Sequence, residues 1–255
     1  MAQIFVNLLC KSDKKRRRAA ALREKVICEG LRAVLLVPTT REPRRLLTLL
    51  HGAEESPEII RRNFELSPWV ERGHIAVLMP ALGNSFCLDW GGGLDVRSAL
   101  LDDLLPAIQE RYGLSPKRED HVVGGISMGG FAALSLALGS RERFCAAFSL
   151  SGALDLRKSA QFFRICGLSA PGDLLGAAQR PETQLEARLQ DLDNKPSLYL
   201  GWSDRDWFRG ENRAFSRKAA ELGYEVRASE STGLHNWDFW KQSLGPALDW
   251  ASMTA

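Results

Sequence analysis

A chain of 255 residues, 45% hydrophobic and 25% charged, has the composition of a folded globular protein and is too apolar for disorder. Its 34 Lys and Arg nearly balance 31 Asp and Glu, and a net charge of +3 without a nucleic-acid-binding motif excludes nucleic acid as an expected partner. No apolar run approaches the roughly 18 residues that a membrane helix needs, so no membrane partner is expected either.

The first strand is expected at Gln3–Leu9. No basic segment precedes it, so it reads as a strand and not as a secretion signal. Lys11–Arg18, KSDKKRRR, places six basic residues in eight and reads as a solvated loop. Ala33–Val37, Leu46–Leu50 and His74–Met79 are nearly continuous apolar runs, which suits strands covered on both faces. Asp95–Tyr112 follows with Leu100, Leu101, Leu104, Leu105 and Ile108 at helical spacing. A strand at His121–Gly125, a helix at Gly129–Leu138 and a strand at Cys145–Leu150 continue the alternation. Asp155–Asn194 interrupts it, carrying Gly167, Pro171, Gly172 and Pro181, and reads as a helical excursion off the sheet. Strands at Ser197–Gly201 and Tyr224–Ala228 flank a helix at Glu211–Leu222, and a helix at Asn236–Trp250 closes the chain.

Alternating strands and helices predict a three-layer α/β sandwich with a mostly parallel central sheet of about eight strands. One domain over residues 1–255 is expected, with residues 155–194 as a small cap insertion. The five cysteines (Cys10, Cys28, Cys87, Cys145 and Cys166) are odd in number and lack a C-x-x-C pair, and there are only four histidines. Neither a disulfide framework nor a metal site is therefore expected, and reduced thiols point to the cytoplasm. A homo-oligomer stays open.

The sharpest pattern is Gly125-Ile126-Ser127-Met128-Gly129, a G-x-S-x-G that ends an apolar strand and opens an Ala/Leu-rich helix. That strand–turn–helix context is what a nucleophile elbow requires. Ser127 is the expected nucleophile, and the Met128 N–H the first oxyanion donor. In this topology the acid and then the histidine follow the serine in the chain. Of His51, His74, His121 and His235, only His235 does so. The acid is Asp204 or Asp206, both directly beyond the strand that ends at Gly201. Asp204 is favoured, because three residues past the strand end make a shorter return to His235 than five. The second oxyanion donor is the N–H of Gly52 or Ala53, after the strand Leu46–Leu50. Phe86, Trp90, Trp202 and Trp237 fall in or near loops that would line the mouth.

These residues resemble the esterase D-like group of α/β-hydrolases, most closely its tributyrin esterase (acetyl-esterase) branch. The matching stretches are Leu49–Gly52, Met79–Phe86, Gly125–Gly130, Ser149–Asp155 and Gly233–Trp240, in the family's order over about three quarters of the chain. The resemblance implies the α/β-hydrolase fold and hydrolysis of short-chain carboxylic esters, with Ser127 as nucleophile, His235 as base and no cofactor. The partner it implies is a small-molecule ester. Thioesters such as S-formylglutathione, feruloyl esters and acyl transfer to an alcohol use the same chemistry and stay open. So does a non-catalytic scaffold, although its expected mark, a missing triad member, is not found. Three features depart from the family: Cys87-Leu88 replaces a tyrosine, Lys11–Cys28 is unusually basic, and the loop from Gly201 to Asn212 is two residues longer. The spacing to Asn212 fits the family better from Asp206 than from Asp204.

Overall fold

The computed structural model describes residues 5–7, 22–28, 30–91, 93–168, 174–180, 183–189 and 193–254. The strands are β1 (Phe5–Asn7), β2 (Leu22–Cys28), β3 (Leu31–Val37), β4 (Arg45–Leu50), β5 (Ile75–Pro80), β6 (His121–Ile126), β7 (Ala146–Leu150), β8 (Ser197–Ser203) and β9 (Val226–Ser231). They form one sheet in the order β1-β2-β3-β5-β4-β6-β7-β8-β9. From β5 to β9 every pairing is parallel, whereas β1, β2 and β3 add on antiparallel.

The strand not foreseen is β2. It pairs with β3 along its whole length, from Leu22 opposite Val37 to Cys28 opposite Leu31. Its Arg, Glu and Lys hide an apolar pattern, and the turn that makes the hairpin carries Gly30 at φ +83°. Of the expected first strand, Phe5–Asn7 is β1; the basic run Lys11–Arg18 and Cys10 lie outside the described residues.

Between the strands lie α1 (Pro57–Asn63), α2 (Ser67–Gly73), α3 (Val96–Ser98), α4 (Leu105–Tyr112), α5 (Met128–Gly139), α6 (Leu156–Cys166), α7 (Leu174–Ala177), α8 (Leu185–Arg188), α9 (Arg209–Glu221) and α10 (Trp237–Met253). A π-helical stretch, Ala99–Leu104, joins α3 to α4, so the helix expected at Asp95–Tyr112 is continuous but not uniform. β5 and β6 are buried along their whole length. That is the signature of strands with a helical layer on each face. One face packs on residues of α4, α5, α6 and α9, including Ile108, Phe131, Phe163 and Phe215; the other packs on Ile60, Val70, Phe239 and Leu248 of α1, α2 and α10. The expected three layers are present.

The excursion resolves into α6, α7 and α8, which lie over the first of these faces. Asp155 caps α6, its side chain accepting the Arg157 N–H at 2.9 Å. Arg188 of α8 donates to the Ser135 carbonyl of α5 at 2.9 Å. Glu211 in the first turn of α9 accepts the Asp155 N–H at 3.1 Å, and Lys158 of α6 stands 3.5 Å from its other oxygen. A cavity of about 250 Å³ opens here, between Leu156–Lys158 and Gly210–Phe215.

Burial pushes the Glu211 carboxyl up to about 7 from 4.5, against the pull of the Asp155 N–H and Lys158. The folded protein therefore holds this proton more tightly than the unfolded chain does. The stabilisation is complete below the unfolded value and is lost as pH rises through about 7. Over that window it amounts to about 3 kcal/mol at most. Melting curves should accordingly show Glu211→Gln losing fewer degrees of Tm than the parent between pH 5 and 8.

Candidate active site

β6 delivers Ser127 into the turn that begins α5. Its backbone lies at φ 55°, ψ −114°, a strained region for any residue with a Cβ. The turn is held from both sides: the Ser127 N–H donates to the Leu150 carbonyl at 2.8 Å, and the Ser127 carbonyl accepts from Gly130 and Ala153 at 2.9 and 3.1 Å. The flanking glycines allow the crowding. A Cβ on Gly129 would lie 2.3 Å from the Leu50 carbonyl oxygen, and one on Gly125 would lie 2.2 Å from the Gly129 oxygen.

His235 sits in the loop between β9 and α10. Asn236 caps α10 by accepting the Asp238 and Phe239 N–H groups, which fixes the chain directly after the imidazole. His235 Nδ1 lies 3.0 Å from Asp206 Oδ1, and its Nε2 lies 2.9 Å from Ser127 Oγ. With Nδ1–H donating to the carboxylate, Nε2 is the acceptor for the serine hydroxyl. The Asp206 side chain is fully buried, and its Oδ1 also accepts the Phe208 N–H at 2.8 Å. Burial pushes its carboxyl up, but the hydrogen bond and charge of His235, with the hydrogen bonds of Ser151 and the Phe208 N–H, together hold it below the usual carboxylate value.

The contact expected of Asp204 is therefore made by Asp206. β8 runs to Ser203, two residues beyond the Gly201 end read from the sequence. Asp204 is still in line with the strand, its N–H bonded to Ser231 at 2.9 Å. The chain then turns, the Asp206 N–H donating to the Ser203 carbonyl at 3.2 Å. Three residues past the true strand end is Asp206. Asp204 instead accepts the Gly233 N–H at 3.1 Å and stands 3.9 Å from Arg205.

Two of the expected mouth residues are core residues. Phe86 is fully buried against Phe131 and Phe163, and Trp202 is buried with its indole N–H donating to Glu230 at 2.6 Å. Trp90 is half-buried and donates to the Ser85 carbonyl. The rings that do meet His235 are Phe162, Phe208 and Trp240, at 6.1, 5.2 and 5.1 Å between centroids. Phe162 comes from α6 and leans on Trp207, which is 50% exposed. Their sequence signal was only an aromatic after Asp206 and another on the apolar side of an amphipathic helix.

On the other flank, His51 is fully buried, its Nδ1 donating to the Gly52 carbonyl at 2.7 Å and its Nε2 accepting the Leu82 N–H at 2.9 Å. Burial depresses its pKa, so this histidine holds the loop as a neutral ring. The Gly52 N–H donates to Glu55 at 3.2 Å, and the expected mouth residue Trp237 donates its indole N–H to the same carboxylate at 2.6 Å. Nothing in the sequence singled out Glu55. Cys87 is buried, and burial pushes its thiol up to about 12, which excludes it as a thiolate nucleophile. Among the described residues no group of three or more His, Cys, Asp or Glu side chains is arranged to hold a metal ion.

A parallel-centred sheet with a serine on its strained strand-to-helix turn and a histidine beyond its last strand defines an α/β-hydrolase. Solved structures share the whole architecture. A substrate-bound serine hydrolase of Staphylococcus aureus, FphF, superposes with a TM-score of 0.75 at 18% identity over 98% of both chains. The S-formylglutathione hydrolase of S. aureus gives 0.74 at 18% identity over 99% of this chain and 98% of that one. A ferulic acid esterase gives 0.72 at 16% over 100% and 99%. In sequence, the acetyl esterase of Caldicellulosiruptor saccharolyticus is 26% identical over 196 residues, 71% of this chain and 73% of that one. The chain belongs to the Esterase family, described as "Putative esterase", whose model matches residues 92–251. It is a carboxylic ester hydrolase of the esterase D-like kind.

The close contact at the elbow sets a test of the fold. Gly129→Ala drives a methyl group into the Leu50 and His51 carbonyls. It should cost about 3 kcal/mol, or roughly 6–12 °C in Tm. Differential scanning calorimetry reads this directly, and an unchanged Tm would contradict the packing described.

Proposed function

We propose that the protein is a serine carboxylesterase that hydrolyses short-chain esters through an acyl-enzyme on Ser127. The observation that carries this reading is the continuous hydrogen-bond chain Ser127–His235–Asp206. His235 takes the Ser127 proton as Oγ attacks the acyl carbon, and Asp206 stabilises the imidazolium that results. The Met128 and Ala53 N–H groups receive the oxyanion. Met128 opens α5, so its N–H has no carbonyl one turn before it. Gly52 is the weaker candidate, because Glu55 already takes its N–H. The alcohol leaves with the proton from His235, and water then hydrolyses the acyl-enzyme by the same route. The reading needs no cofactor.

Residues 1–255 are read as one hydrolase domain with 155–194 as a cap insertion, which the contact of Phe162 with His235 supports. The free thiols of Cys87, Cys145 and Cys166 support a cytoplasmic setting. No helix among the described residues is long and apolar enough to cross a membrane. Thioesters and feruloyl esters remain the second reading, which the S-formylglutathione hydrolase and ferulic acid esterase neighbours favour.

Two sets of kinetics test the proposal. Ser127→Ala should lower kcat on p-nitrophenyl acetate at least about 10³-fold, and Asp206→Asn up to about 10⁴-fold. Asp204→Asn, which keeps an acceptor for Gly233, should cost less than about tenfold. A crippled Asp204→Asn beside a healthy Asp206→Asn would reverse the assignment of the acid.

The acyl pocket is expected to be small. The 250 Å³ cavity includes none of Ser127, Asp206 or His235 in its lining, so it offers no acyl tunnel from the serine. In a p-nitrophenyl ester series, acetate should outrank butyrate in kcat/KM, and palmitate should be negligible. Efficient turnover of palmitate refutes the short-chain reading.

A further inference from the structure

Glu55 takes no part in the chain Ser127–His235–Asp206, yet it stands beside it. Its Oε2 accepts the Gly52 N–H at 3.2 Å, and its Oε1 accepts the Trp237 indole N–H at 2.6 Å. A Cβ built on Gly52 would lie 3.2 Å from Glu55 Oε2 and 3.6 Å from Ser127 Cβ, so the carboxylate and the serine flank a single glycine. Trp237 follows His235 by two residues, and His235 is the group that hands a proton to the departing alcohol. In the short-chain reading the acyl part carries no charge, so a charged group that meets this carboxylate belongs to the alcohol.

The charge there is supported but not cancelled. Burial holds the Glu55 carboxyl above its ordinary value, and the Trp237 and Gly52 donors and the neighbouring His235 pull it only part of the way back. Both donors are neutral. Among the described residues no lysine or arginine is paired with this carboxylate. Trp237 packs edge-on against Trp240 at 5.5 Å, and Trp240 against His235 at 5.1 Å, which holds the indole that reaches the carboxylate. A half-buried carboxylate that no cation among the described residues neutralises attracts cations and repels anions.

We propose that Glu55 makes this esterase selective for esters of cationic alcohols, such as amino or quaternary-ammonium alcohols, and against esters of anionic alcohols. The inference deepens the esterase reading and rests on it. At a separation of roughly 6–8 Å in a half-solvated mouth, one unit charge acting on another changes a rate by about two- to tenfold.

The test uses three acetates of similar size: acetylcholine, its neutral isostere 3,3-dimethylbutyl acetate, and the anionic 3-sulfopropyl acetate. Hydrolysis is followed by pH-stat at low ionic strength for the parent and for Glu55→Gln, which keeps an acceptor oxygen and removes the charge. The parent should rank cation above neutral above anion in kcat/KM. Added salt should compress that order, because the mouth is partly solvated. In Glu55→Gln the cation-to-anion ratio should fall at least about fivefold, whatever happens to the neutral ester. A ratio unmoved by the substitution, or an equal loss on all three acetates, makes Glu55 a structural strut and overturns the inference. Should Glu55→Gln fail to fold, the charge order of the parent and its salt dependence still decide. Turnover of all three without a charge order overturns this inference alone, whereas no turnover of any acetate overturns the esterase reading and the inference with it.

Discussion

The approach of α5 to the ends of β4 and β6 is the constraint on which the centre of this molecule rests. Bare backbone must meet bare backbone there, Gly129 against the Leu50 carbonyl and Gly125 against Gly129. Only that contact lets the chain reverse sharply enough to put Ser127 at φ 55°. The strain of that residue is over-determined by its neighbours: Leu150 takes its N–H, while Gly130 and Ala153 hold its carbonyl. The same contact fixes where β4 ends, and so where the His51–Glu55 loop begins. Ser127 and its flank are therefore placed by one packing decision.

The remaining parts of the site come to that fixed point from three other places in the chain. β8 overshoots and turns to present Asp206. The Asn236 cap directs the His235 loop. The excursion leans Phe162 over the imidazole from above the sheet. Asp206 shows what burial does in company. Alone in this position its carboxylate would resist ionising; His235, by hydrogen bond and charge, together with Ser151 and the Phe208 N–H reverses the balance. Glu211 has weaker company, a backbone N–H and a half-exposed lysine, and there burial prevails. Two carboxylates in one fold thus end on opposite sides of their ordinary value.

The parts of this structure written in short-range pattern were legible in the sequence. The elbow is a local motif on an apolar strand, and His235 follows from chain order alone. The parallel core strands announce themselves as continuous apolar runs. What escaped depends on geometry between distant segments. Asp204 was favoured by counting from Gly201, but pairing with β9 carries β8 on to Ser203. A count from the sequence cannot see the hydrogen bonds that prolong a strand. Trp202 reads as a loop aromatic until that extension makes it a strand residue facing the core. Phe86 and Glu55 illustrate the same limit, since a turn sends one inward and a Trp237 contact 182 residues away gives the other its place. β2 was obscured because its charged residues mask a pairing that only β3 reveals.

Ser127 and His235 touch across 108 residues of chain, and His235 and Asp206 across 29. The order of synthesis gives those separations a meaning. When a ribosome has made β6, α5 and β7, the strained serine turn can already be packed, but the histidine that bonds it is not yet in the chain. The histidine is translated 108 residues after the serine. It becomes held only when α10 closes over the sheet, so Ser127 stays without this partner until β8, β9 and α10 have been made and packed. The Ser127–His235 contact is in this sense a timestamp of completed folding: a half-assembled chain carries the strained serine without its histidine.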